Sequence, residues 1–244
     1  MISVNVKTDI DKAIAKLSAM NPKQSLYAQS VALNLTAKDI KREVDKEIVA
    51  KIDRPTRFTL AALRIKIAKK NDLVAQVLVK DVAYGKNRMT VDQIIGHQFV
   101  NAGFRNHSPI EKWLFRAGYI QTGEYIAPTA NATLDANGNL ARGESLRMLS
   151  QLRAGADPSQ YKTGSARSRK SRAKGRYFWS YGDTLSRGLW VSVERGAPLK
   201  VLNVIAKPTY RNKVDLKGIG EAVAKREFMG NLEYAIAEAI RTAR

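Results

Sequence analysis

The sequence predicts an α+β protein in which a long N-terminal helix and a C-terminal helix pack on a mostly antiparallel sheet of about five strands. Apolar residues recur every three or four positions near both ends of the chain, which predicts helices there. Short β-branched runs lie between them, and a long middle stretch has no clear period. We expect residues 1–82 and 177–244 to build the core, and residues 83–176 to form an irregular insertion with short helices and a basic arm.

The long N-terminal helix is predicted to begin at Asn21-Pro22, because asparagine caps helices well and proline suits the first helical position. Apolar residues then follow one face as far as Ile52, and Pro55 ends the pattern. On the opposite face acidic residues alternate with lysines, which is typical of a solvated surface and not of a catalytic carboxylate pair. A shorter helix ending near Met20 is predicted to precede it.

The strands are predicted from shorter patterns. Residues 59–81 read as a β-hairpin with a polar turn at Lys69–Asp72. Three further strands are predicted at 177–179, 189–193 and 201–206, and a final helix from about Ile219 onwards. Gly230 is expected to bend that helix, at a cost of about 1 kcal/mol relative to alanine.

The middle of the chain contains three predicted short helices: one over Val91–Phe99 with Thr90 as its cap, one starting at Pro109, and one over residues 143–152. Glycine and asparagine turns separate them. A stretch of this length without regular periodicity is unusual in a compact domain unless it is functional. We therefore interpret it as an insertion that contacts another molecule.

The charge of the chain is strongly positive: 42 Lys and Arg stand against 22 Asp and Glu, a formal net charge of +20. Such an excess predicts a polyanionic partner, such as nucleic acid or an acidic protein surface. The most basic stretch, here called the basic arm, spans residues 162–176, is rich in glycine and serine and contains no acid. We expect it to contact either phosphates or an acidic protein neighbour through its seven cations: Lys162, Arg167, Arg169, Lys170, Arg172, Lys174 and Arg176.

Several kinds of chemistry are excluded or unsupported. The chain has no cysteine, which excludes disulfides, iron–sulfur clusters and thiol nucleophiles, and its two histidines cannot form a histidine-rich metal site. No phosphate-binding loop or nucleophile-elbow sequence is present. We therefore predict no catalytic residue, no metal and no cofactor, and hence no enzymatic activity. No apolar run approaches the roughly 18–20 residues of a membrane span, so no membrane partner is expected.

Several blocks, in their order along the chain, resemble the minor tail protein Z family of tailed phages. The first is the sequence KIDRPTRFTL, which follows the long helix and precedes the basic hairpin. The next is LDANGNL, which leads into MLSQL. The last two are GLWV, after the strand YFW, and VIAKPTYR, before the final helix. None of these blocks is a chemical signature, and the resemblance rests on their order from about residue 10 to the end.

The resemblance implies a virion protein, made in the bacterial host cytoplasm, that completes the tail or joins it to the head. It implies a homo-oligomeric ring around the DNA path, with six copies favoured over twelve. The expected neighbours are portal, adaptor, tail-tube or terminator proteins, with packaged double-stranded DNA in the lumen. The family supplies no catalytic residue to transfer to this chain.

Two other functions compete with this expectation. A non-sequence-specific nucleic-acid-binding protein is favoured by charge alone, and its affinity for duplex DNA would fall steeply with salt. An enzyme such as a nuclease would need a metal-binding carboxylate cluster, and the sequence does not reveal one.

Overall fold

The computed structural model describes residues 21–80, 83–84, 89–90, 96–99, 105–155, 157–161, 165–166, 175–194 and 196–242. It is an α+β structure, as predicted. The helices are α1 Pro22–Lys51, α2 Arg57–Leu60, α3 Pro109–Arg116, α4 Arg142–Gln151 and α5 Leu216–Arg241, with short 3-10 turns at Gly96–Gln98 and Pro158–Gln160. The strands are β1 Leu63–Lys66, β2 Gln76–Val79, β3 Ala83–Tyr84, β4 Met89–Thr90, β5 Glu124–Pro128, β6 Arg176–Ser180, β7 Gly188–Ser192 and β8 Leu199–Ala206. The short helix predicted before Asn21 lies outside the described residues.

The chain divides into two compact units, residues 1–103 with 210–244 and residues 104–209. These boundaries differ from those predicted at 82 and 176. The reason is strand pairing: β5, from the supposed insertion, joins β8, so the middle of the chain shares a sheet with the strands that follow it. The described strands form sheets of two, two and four instead of one sheet of about five, and α5 belongs to the other unit.

Helix α1 begins where the sequence predicts. The Asn21 side chain accepts a hydrogen bond from the Lys23 backbone N–H at 3.0 Å, and Pro22 occupies the first turn. This cap satisfies one of the amide groups that a helix start leaves without a partner. Four residues of the predicted apolar face are buried, namely Ala37, Ile40, Val44 and Ile48. Leu26, predicted on the same face, is exposed, and near the start of the helix the buried residues are Ala28 and Ala32.

Helices α1 and α5 pack antiparallel and form the centre of the first unit. Ala32, near the start of α1, shares a cluster with Leu232, near the end of α5, whereas Val44 clusters with Val223. One polar residue crosses the apolar contact: Asn231 donates from Nδ2 to Thr36 Oγ1 at 3.1 Å and to Asp39 Oδ2 at 2.9 Å. Its hydrogen bonds favour this register of the two helices, because a partly buried amide without partners would be costly.

The predicted hairpin packs on α1. Strands β1 and β2 are antiparallel, with Leu63 opposite Val79, and Leu63 is buried in the cluster that contains Ile40. The polar turn is closed by reciprocal backbone hydrogen bonds between Lys69 and Asp72. Asn34 of α1 clamps the hairpin, since its side chain accepts from the Ala68 N–H at 2.7 Å and donates to the Ala68 carbonyl at 3.0 Å.

The second unit is a four-stranded antiparallel sheet in the order β5-β8-β7-β6, with α3 and α4 on one face. Leu114 of α3 and Met148 of α4 are buried with Leu189 and Leu202 of the sheet. The segment from 105 to 155, predicted as an irregular insertion with short helices, supplies both predicted helices and one strand to an ordered core. The prediction that Thr90 caps a helix was wrong, because Thr90 lies in β4 and the described residues that follow form only the 3-10 turn Gly96–Gln98. Strand β5 was not predicted, because EYIAP is short and ends in proline.

Candidate functional site

A groove of about 630 Å³ runs along the outer face of α1 beside the hairpin. It combines four cations with one acid and two apolar side chains. Its lining residues are Lys38, Lys41, Arg42, Asp45, Lys46, Val49 and Ile65. All of them come from one helix and one strand of the first unit, so the groove is formed where α1 packs beside β1.

The cations form a row because of helical geometry. Lys38, Arg42 and Lys46 are spaced four residues apart, and a rise of about 1.5 Å per residue places their Cα atoms about 6 Å apart along the axis. All three residues are exposed. The row can therefore contact several charges of an extended anion at once, through point charges that do not discriminate between bases.

Ion pairs within α1 partly neutralise three of the four cations that line the groove. Lys41 Nζ lies 2.5 Å from Asp45 Oδ2, Arg42 Nη2 2.8 Å from Asp39 Oδ1, and Lys46 Nζ 3.0 Å from Glu43 Oε2. The hydrogen bond from Lys46 lowers the pKa of Glu43 below its ordinary value.

Pairs of this kind on a solvated helix are weak, so an anionic ligand can displace them at small cost. The paired acids are partly exposed, so the prediction of a solvated face holds in part, but Asp39 also accepts a hydrogen bond from Asn231 of α5. Within the described part of the chain, Lys38 has no acidic partner.

The hairpin beside the groove adds further positive charge. Residues 63–80 hold five Lys and Arg against one Asp. Lys70, at the turn, lies over the Tyr27 ring at 5.2 Å, and Lys66 Nζ is 3.8 Å from Asp72 Oδ2. The basic surface of the first unit thus extends from α1 to the tip of the hairpin.

The basic arm falls almost entirely outside the described residues. Six of its seven predicted contact residues, Lys162, Arg167, Arg169, Lys170, Arg172 and Lys174, are not described. Arg176 is described, and it is an exposed residue at the start of β6. The prediction that this segment contacts phosphates or an acidic neighbour stays a prediction.

A buried ion pair, which sequence reasoning missed, organises one end of the second unit. Glu111 is fully buried and accepts two hydrogen bonds of 2.6 Å from the Arg105 guanidinium. It also accepts from the backbone N–H of Ser108 at 2.7 Å and of Ile126 at 2.9 Å. Burial alone would raise the pKa of Glu111, but these four hydrogen bonds outweigh it and the pKa is lowered.

One part of this arrangement can be recognised in the sequence. Ser108 and Glu111 form the S-x-x-E capping box that starts α3, and both of its hydrogen bonds are present. Two partners of Glu111 could not be foreseen, because Arg105 precedes the helix and Ile126 belongs to the unpredicted strand β5. Each carboxylate oxygen of Glu111 accepts two hydrogen bonds, as expected of an ion pair with a structural role.

His107, close to this ion pair in sequence, is held by neighbouring groups of the second unit. The His107 ring stacks on Tyr125 with centroids 4.3 Å apart, and its Nε2 lies 3.0 Å from the Glu124 carbonyl oxygen. The residues that the structure describes contain no cluster of three or more histidine or acidic side chains able to hold a metal ion. None of the described helices is long and apolar enough to cross a membrane.

Comparisons of the chain with protein-family models, with curated proteins and with solved structures found no match.

Proposed function

We propose that this protein is a structural component of a tailed-phage virion, which forms a homo-oligomeric ring at the tail completion or head–tail junction around the DNA path. The ordered resemblance to minor tail protein Z supports the virion setting. The observation that carries the contact with DNA is the exposed row of Lys38, Arg42 and Lys46, in a chain of net charge +20. A ring that lets DNA pass needs this kind of sequence-independent attraction.

Assembly into a ring would give the basic arm surfaces to contact. Subunits in a closed ring meet through heterologous interfaces, in which different surfaces of neighbouring copies contact each other. The basic arm would then face the DNA lumen or an acidic ring partner. The proposed partners are further copies of the chain, favoured as six, and the portal, adaptor, tail-tube or terminator proteins of the neck.

The arm is tested by charge reversal in the phage. The triple variant Arg169→Glu, Lys170→Glu and Arg172→Glu should lower the yield of particles that retain DNA, because it turns an attractive segment into a repulsive one. The matched control reverses three exposed lysines elsewhere, at Lys23, Lys112 and Lys225. Particle yield is measured by plaque titre and encapsidated DNA. Unchanged particles in the arm variant would contradict the proposal, as would an equal loss in the control.

A second candidate function, non-sequence-specific binding of nucleic acid, is favoured by the groove on α1. Neutralising the row as Lys38→Gln, Arg42→Gln and Lys46→Gln should make the salt dependence of duplex binding shallower by about 2–3 in log K against log salt, since each lost phosphate contact removes about 0.9. Lys23→Gln, Lys112→Gln and Lys225→Gln supply the control. An unchanged slope would exclude the groove as a duplex-binding site, whatever the oligomeric state.

A further inference from the structure

We propose that the sheet face opposite α3 and α4, called here the outer sheet face, binds single-stranded nucleic acid by stacking its bases on Phe178 and Trp190. The proposed ring concerns packaged duplex DNA, so this inference goes beyond it and does not depend on assembly.

The two aromatic rings are neighbours on that face. Phe178 of β6 lies directly opposite Trp190 of β7, and side chains in such pairs stand about 5 Å apart. Side chains alternate along a strand, and the residues adjacent to this pair, including Trp179 and Leu189, are buried in the core under the two helices. Phe178 and Trp190 therefore point away from the core, and both remain partly accessible.

Trp190 is held in one orientation. Its indole Nε1 donates to the Ser186 carbonyl at 2.8 Å. Lys200, opposite Trp190 on β8, donates to the Ser186 hydroxyl at 2.9 Å and places its ammonium 5.8 Å from the centre of the indole ring. An oriented ring loses little entropy on stacking. The Lys200 ammonium lies over the indole ring, and its flexible side chain can swing aside to pair with a phosphate when a base stacks on Trp190.

Positive charge flanks the aromatic pair on both sides. Arg176 precedes Phe178 by two residues on the same strand, so it shares the outer sheet face, and it is exposed. Lys200 lies beyond Trp190 on the other side. Residues 104–209 as a whole contain 17 Lys and Arg and only 7 Asp and Glu, so the field around this face attracts polyanions.

The combination favours a single strand over a duplex. Aromatic side chains on a sheet stack with bases whose faces are open, and a duplex hides those faces between its base pairs. A surface meant only for duplex phosphates needs no aromatic residues. The outer sheet face supplies two adjacent rings and a cation on each side, an arrangement that fits two successive bases and their phosphates.

The experiment measures binding of the full chain to a short fluorescent oligothymidylate and to a duplex of the same length. Phe178→Leu and Trp190→Leu keep an apolar side chain and should each weaken single-strand binding about tenfold, with little effect on the duplex. Their salt dependence should stay unchanged, whereas Arg176→Gln should make it shallower by about 0.7. Phe115→Leu, an exposed phenylalanine of α3, is the aromatic control and should bind as the unchanged chain does.

A second measurement does not depend on how the variants fold. Ultraviolet crosslinking of the unchanged chain to the oligothymidylate, followed by peptide mass mapping, should give adducts at Phe178 or Trp190. Wild-type affinity in both folded leucine variants would overturn the proposal. Crosslinks confined to other peptides would overturn it too, as would equal loss of single-strand and duplex binding.

Discussion

At the scale of single residues, the second unit depends on a carboxylate that has no contact with water. Glu111 accepts hydrogen bonds from Arg105 and from the backbone of both α3 and β5, so one side chain joins three segments of the chain. Removing one member of a buried ion pair leaves the other charge without its partner, which costs more than the pair contributes.

We therefore predict that Glu111→Gln lowers the free energy of unfolding of the second unit by about 2–4 kcal/mol, because the Arg105 guanidinium loses its counter-charge. Glu43→Gln on the solvated face of α1 is the matched control and should change stability little. Urea denaturation followed by circular dichroism measures both. Equal effects of the two variants would show that Glu111 is not a structural anchor.

The lowered pKa of Glu111 predicts that the stability of the second unit depends on pH. The pKa of Glu111 lies below its ordinary value of 4.5 in the folded protein. Between the two pKa values, the Glu111 carboxylate takes up a proton in the unfolded chain but not in the folded chain. The stabilisation that comes from ionised Glu111 is therefore fully present above pH 4.5, and it is lost as the pH falls below 4.5 and through the lower pKa of the folded protein. Glu111→Gln should remove this part of the acid dependence, and an unaltered acid profile would contradict the assignment.

At the scale of secondary-structure elements, two glycines have opposite roles. Gly188 at the start of β7 has φ +147°, and a Cβ placed there would lie 2.3 Å from the Leu202 carbonyl oxygen of β8. Gly230 lies within α5, is exposed, and has open space where a Cβ would be. The first is required by the close approach of two strands, whereas the second only weakens its helix.

Gly188→Ala should accordingly destabilise the protein by about 1–3 kcal/mol, since β7 or β8 must shift. Gly230→Ala should stabilise it by about 0.5–1 kcal/mol through helix propensity. Thermal unfolding of the two alanine variants makes the comparison. A stabilised Gly188→Ala variant would refute the close strand contact, and a destabilised Gly230→Ala variant would contradict the open space at this helix position.

At the scale of the whole molecule, two units with separate cores share one chain. The first core lies between α1, α5 and the hairpin, and the second between the four-stranded sheet and helices α3 and α4. Asn231 and Glu111 are the corresponding polar anchors of the two. Units with separate cores are expected to unfold separately.

We predict that native-state hydrogen exchange separates them. Asn231→Ala should speed exchange in α1 and α5 and leave β7 and β8 protected, because it removes hydrogen bonds only from the first unit. Glu111→Gln should do the reverse. A uniform loss of protection across both units in either variant would show that they unfold as one.

Local patterns predicted much of the secondary structure. Asn21-Pro22 started α1, the hairpin formed around its polar turn, and β6 to β8 lie within two residues of their expected positions. Caps, turns and periodicity act over a few residues, so they can be recognised without tertiary contacts. The alternation of acids with lysines on α1 likewise predicted a solvated face, which is correct for Glu43 but not for Asp39, since Asp39 bonds to Asn231 of α5.

Local patterns could not predict which distant segments of the chain pair with each other. That β5 would join β8, that α5 would pack on α1, and that Arg105 would reach Glu111 all depend on contacts far apart in sequence. The cationic groove and the outer sheet face arise in the same way. The sequence alone established the net charge and the residue types, but the distances between those residues exist only once the chain has buried its apolar faces.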